Sequence, residues 1–140
     1  MNVRLTVASL GAIVLALGFV AILRPLLVLG MLGFVVVDAS HTAFCLGETR
    51  ATYGGVFAMM GVVMLWAALD PYRYRDRTLA LGLLWLGACA ARLFGASVDG
   101  SPGPLGWLSA GFEGTVGVLL SVASWLAAPK EPAQTGPIQA

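Results

Sequence analysis

Four stretches of this sequence run the width of a bilayer almost without charge, and that leaves few folds open to it. Leu5 to Leu23 and Ala51 to Leu69 contain no charged residue, Thr78 to Val98 contains only Arg92, and Leu105 to Ala128 contains only Glu113. An α-helix rises about 1.5 Å per residue, so about 20 residues cross a 30 Å hydrocarbon core. Inside lipid each backbone N–H and C=O has to find its partner within the protein, which makes such runs helices. The rest of the composition agrees. The chain is 59% hydrophobic and 11% charged with a mean hydropathy of +0.88, where a soluble domain carries roughly 25% charged residues. Lipid must therefore solvate part of its surface. The expected fold is all-α: an integral membrane four-helix bundle, with spans at about 4–23, 49–69, 78–98 and 105–128.

The first run ends at Arg24-Pro25, exceeds the roughly 7–15 apolar residues of a signal-peptide core and lacks a small-x-small cleavage site, so it is expected to stay as a span. The segment 25–47 is different. Its uncharged part, Leu26 to Val37, is too short to cross alone and turns polar at Asp38, Ser40 and His41, which suits a re-entrant or interfacial segment. Arg73, Arg75 and Arg77 crowd the connection between the second and third spans, and the positive-inside rule puts that connection in the cytoplasm. Both termini are then cytoplasmic, and residues 129–140, with three prolines, form a disordered tail. Trp66 and Trp125 fall at inner ends and Trp107 at an outer end, as an interfacial belt requires, while Trp85 lies deeper and fills the bundle. Small residues recur four apart at Ala8 and Ala12, at Gly54 and Ala58, and at Ala110 and Gly114, with Gly117 and Ser121 following. Such faces let helices approach closely, either within the bundle or against a partner.

This topology gathers charge at the outer ends of three spans. Arg92 and Glu113 each lie about six residues, roughly 9 Å, inside their helices. At matching depth on consecutive antiparallel spans they are expected to pair, since membrane-buried charges face the bundle interior and find each other. Glu48 and Arg50 begin the second span nearby, but residues two apart do not share a helix face; for both to join, the helix must start after them. Asp99 ends the third span and can cap it or join the cluster. Two acids and two bases sum to zero, so the group reads either as a clasp between helices or as a site for a polar or anionic ligand such as a lipid headgroup, for which the arginine fork is suited.

Asp38, His41, Cys45 and Glu48, spaced three, four and three, would share one stripe of a helix. Carboxylate, imidazole and thiol are transition-metal ligand types. A solvated interfacial face has the same pattern, and a lone Asp-x-x-His with one cysteine lacks the paired spacing of a metal motif. No metal or cofactor is therefore expected. Cys45 and Cys89 read as small core thiols. With one histidine, acid–base chemistry would have to rest on Glu48, Glu113, Asp38 or Asp99. The net charge of +1 gives no reason to expect nucleic acid.

The run Glu48-x-Arg50-x-x-Tyr53-Gly54-Gly55, with Arg92, Asp99-Gly100 and Glu113 after it, resembles a family of small bacterial membrane proteins known as a domain of unknown function (number 4345). The resemblance implies a four-helix bundle in the bacterial inner membrane and brings no activity with it. It adds Tyr53 to the cluster of Glu48, Arg50, Arg92, Asp99 and Glu113. The leading expectation is a non-catalytic membrane protein, an accessory or packing subunit beside a membrane-protein partner or a second copy. The alternative is a small carrier or binding protein for a lipid or small polar solute.

Overall fold

The computed structural model describes residues 1–33 and 45–127, and among these all regular structure is helical. Helix α1 is Val3–Leu23 and α2 is Pro25–Met31. Helix α3 is Cys45–Leu69, α4 is Arg75–Asp99 and α5 is Gly103–Leu126. All but α2 are long and apolar enough to cross a membrane. Their starts and ends have local causes. The Asn2 side chain accepts from Leu5 N at 3.2 Å and caps α1, and Pro25, with no N–H to give, ends it. Asp70 turns the chain after α3 by accepting from Arg73 N at 3.1 Å. Gly100 (φ 96°) stops α4 and Gly103 (φ 73°) opens α5, both in backbone conformations that a side chain disfavours.

The bundle is built of two hairpins. Helix α1 packs along α3, and α4 along α5; α1 also touches α5, and α3 touches α4, which closes the ring. Both hairpin interfaces depend on missing side chains. A Cβ at Gly61 would lie 2.5 Å from Leu15 N, one at Gly54 2.6 Å from Ile22 Cγ1, and one at Gly11 2.8 Å from Met64 Cβ. On the other hairpin, a Cβ at Gly82 would meet Ser121 Oγ at 2.6 Å and one at Gly117 would meet Leu86 Cγ at 2.7 Å. Lipid gives no hydrophobic drive for helix association, so this backbone proximity and the dispersion contacts it allows hold the pairs.

The small-residue faces expected from the sequence are partly those used. Gly54 and Ala58 meet α1 closely, and Ala110, Gly114, Gly117 and Ser121 line the α5 side of the second hairpin. Ala12, however, points outward; Gly11 and Gly18, seven apart, carry the α1 contact in its place. Val7, Val14, Met64, Leu81, Val116 and Leu120 form a buried core toward the end of the bundle that holds the Asp70–Tyr74 turn. Leu83, Leu84, Phe94, Leu108 and Val118 are exposed. A chain apolar both inside and out is built for lipid, and the protein is an integral membrane protein.

Within the segment expected to be interfacial, Pro25–Met31 is a short helix and the second long helix begins at Cys45. Residues 34–44 lie outside the described residues, and with them Asp38, His41 and about half of the segment expected to be re-entrant or interfacial; 128–140, the tail, do so too.

Candidate functional site

The expected pair forms. Arg92 Nε donates to both Glu113 Oε1 and Oε2, each at 2.8 Å. The Glu113 side chain is 8% exposed and that of Arg92 35%. A single N–H shared between two carboxylate oxygens uses only one of the guanidinium donors. Tyr53 is a second side-chain hydrogen-bonding partner of Arg92, and with five N–H donors the guanidinium keeps capacity for a further acceptor.

These groups face a cavity of about 510 Å³ between the two hairpins, within the size range of small-molecule sites. Its walls are mostly apolar: Leu17 and Val20 from α1, Val28 and Met31 from α2, Leu108 from α5. Its polar groups are Arg92, Glu113, Tyr53 and Ser109. Trp85 borders it, held edge-on between Phe57 (centroids 5.2 Å apart) and Phe112 (5.5 Å). The Trp85 Nε1–H is buried and finds no acceptor among the described residues. Below this aromatic layer the core is closed; above it the hairpins separate and α2 lies against the opening.

Tyr53 reaches the site through an irregular stretch of α3. Arg50–Val56 is wound as a π-helix, an i→i+5 arrangement that re-aims the side chains it carries and that recurs at functional sites. The same stretch sends Arg50 elsewhere: its Nε donates to Ile22 O at 3.2 Å. Ile22 lies in the last turn of α1, where carbonyls lack intrahelical partners and the helix dipole favours a cation. Arg50 is thus a cap joining α1 to α3. Helix α3 starts at Cys45, ahead of both charges, so Glu48 and Arg50 do not enter the cluster together; Glu48 is exposed. Asp99 is also exposed, two turns beyond Arg92.

Of the expected residues, then, Arg92, Glu113 and Tyr53 come together, and Glu48, Arg50 and Asp99 stand apart. Ser109, Trp85 and the apolar walls were not anticipated as site residues; the helical register of Ser109 to Glu113, four apart, was the signal available for Ser109. Cys45 is half-buried and its carbonyl accepts from Thr49 Oγ1 at 2.7 Å. Among the described residues no cluster of three histidine, cysteine or acidic side chains could hold a metal ion.

At the opposite end of the bundle Arg77 stacks on Trp66 at 4.3 Å and on Tyr74 at 4.7 Å, an aromatic–arginine layer of the kind found where helices leave a bilayer. Trp125 and Trp107 are exposed and Trp85 is buried, as their sequence positions led us to expect.

Residues 3–124 match the family described as Domain of unknown function (DUF4345). No curated protein and no solved structure matches the chain.

Proposed function

The chain belongs to the DUF4345 family, which carries no activity to transfer, and from its own geometry we propose that it is a membrane-embedded binding protein for an amphipathic ligand with an anionic head. One observation carries the reading: Arg92, partnered by Glu113 and Tyr53, keeps further N–H donors beside an apolar cavity of about 510 Å³. A clasp between helices needs the ion pair and has no use for the space beside it. The head would take the guanidinium edge, where carboxylate, phosphate and sulfonate oxygens all match the donor geometry. The tail would lie along Leu17, Val20 and Leu108. With Arg73, Arg75 and Arg77 on the cytoplasmic side, the site opens in the outer half of the membrane, in the bacterial inner membrane on the family's expected setting.

An accessory-subunit role draws its support from small-residue faces open to a partner. Gly11, Gly18, Gly54, Gly61, Gly82 and Gly117 are taken up inside the chain's own hairpins, so those faces do not favour that role over ligand binding.

The test is a titration of the purified protein in zwitterionic-lipid nanodiscs with decanesulfonate and with uncharged decanol. We expect the sulfonate to bind more tightly than the alcohol, and Arg92→Gln to lose about ten- to a hundredfold of the sulfonate affinity, the worth of one charged hydrogen-bonding group. Equal binding of the two amphiphiles, or an unaffected Arg92→Gln protein, would defeat the proposal.

A further inference from the structure

We infer that each anion entering this cavity is accompanied by one proton, which comes to rest on Glu113. The inference rests on the binding reading above and deepens it, because it turns a binding site into a proton-coupled one.

Charge balance is the starting point. Among the described residues, the titratable or charged groups facing the cavity are Arg92 from α4, Glu113 from α5 and Tyr53 from α3. Helices α1 and α2 bring only apolar side chains, Leu17, Val20, Ala21, Val28 and Met31. Arg50 is bonded to the Ile22 carbonyl. Arg92 and Glu113 carry opposite charges, so the described groups of the site balance before a ligand arrives, and an added anion would leave one uncompensated negative charge between apolar walls. Uncompensated charge in such surroundings is strongly disfavoured, and the usual escape is a change of protonation state.

Geometry then selects the acceptor. Both Glu113 oxygens are held by a single donor, Arg92 Nε. A ligand oxygen on the remaining N–H groups draws on the same single positive charge that balances Glu113. A carboxylate 8% exposed cannot turn to water for a substitute. Protonation removes its charge and gives it an O–H to donate to the incoming oxygen. The step balances: a proton leaves the aqueous phase for Glu113, the Arg92 charge that balanced Glu113 now balances the ligand, and the described groups of the site sum to zero charge before and after. Binding is therefore electroneutral, and the anion enters in effect as its acid.

A probe with a permanent charge keeps the proton off the ligand itself. Decanesulfonate is titrated calorimetrically into nanodisc-embedded protein near pH 7 in Bis-Tris and in Tris buffer, neither of which is an anion, with the heat from empty nanodiscs subtracted. The heats should differ, per anion bound, by the difference between the two buffers' ionisation enthalpies, and affinity should weaken by about tenfold per pH unit on the alkaline side, as linkage to one proton requires. Glu113→Gln, which mimics the protonated form, should bind at least as tightly as wild type at that pH, show equal heats in both buffers and lose the pH dependence. Buffer-independent heats from wild type that still binds would overturn the proton coupling and leave the binding reading in place. Proton uptake that survives in Glu113→Gln would overturn the assignment to Glu113. No binding by wild type at any pH would remove the binding reading and the coupling together. The wild-type comparison between buffers stands even if the variant fails to fold.

Discussion

At the scale of single residues, Arg92 and Glu113 are unequal partners. Arg92 is about one-third exposed on a long stem that can extend toward water, whereas Glu113 is nearly enclosed. Removing Arg92 strands the enclosed charge, so Arg92→Gln should cost about 2–3 kcal/mol of stability and Glu113→Gln only about 1 kcal/mol. The double variant Arg92→Gln/Glu113→Gln should be more stable than Arg92→Gln alone, because the stranded carboxylate is gone. Reversible unfolding in mixed micelles measures all three, and a double variant less stable than Arg92→Gln would contradict the account. This pair was legible in the sequence because equal depth on antiparallel spans leaves a lone Arg and a lone Glu few alternatives. The role of Arg50 was not legible. Its partner is a backbone carbonyl of α1, 28 positions away, and no side-chain pattern marks a carbonyl. Arg50→Ala should lower stability by about 1–2 kcal/mol by leaving the end of α1 uncapped, with the affinity for decanesulfonate unchanged; a loss of affinity at retained stability would place Arg50 in the site after all.

At the scale of the element, the chain distinguishes glycines that allow contact from glycines that merely occur. Gly61 lies where a Cβ would strike the Leu15 backbone, while nothing lies within 4 Å of a Cβ at Gly87. Gly61→Ala should therefore destabilise the protein by about 1–3 kcal/mol through overpacking, and Gly87→Ala should be neutral or slightly stabilising through helix propensity. The same unfolding assay compares them, and similar effects at the two positions would contradict the packing described. Helix existence and length were plain from the uncharged runs. Face assignment on α1 was less so: of Ala8 and Ala12, suggested by spacing of four, Ala8 packs against the core but Ala12 points outward, and the closest approach falls at Gly11 and Gly18, whose spacing of seven keeps two glycines on one seam against Gly61 and Gly54. The π-helical stretch of α3 had no signature beyond the Gly54-Gly55 pair. It is this stretch that brings Tyr53 to the cavity and Arg50 to α1, so the cluster could not be apportioned correctly from the sequence.

At the scale of the whole molecule, the division between a closed half and an open half matters most. The glycine seams bind each hairpin along its length, while the contact between hairpins is filled by the Val7–Leu120 core at one end and opens beyond Trp85 at the other. Hydropathy reports that helices lie in lipid and says nothing of where two hairpins part, which is why the cavity could not be read from the sequence although its charged pair could. The arginine-bearing connection Asp70–Tyr74 and the glycine turn at Gly100–Gly103 stand at opposite ends of the bundle. Reporter fusions after Arg77 and after Gly100 should report a cytoplasmic and an outer location respectively; the reverse would move the site to the cytoplasmic half. The central claim is that Arg92 and the space beside it hold an anionic amphiphile, and native mass spectrometry of protein extracted in mild detergent tests it most directly. Wild type should carry an acidic amphiphile, or retain added decanesulfonate, and Arg92→Gln should arrive bare. A folded wild type that holds neither, or an Arg92→Gln protein carrying the same adducts as wild type, would contradict it.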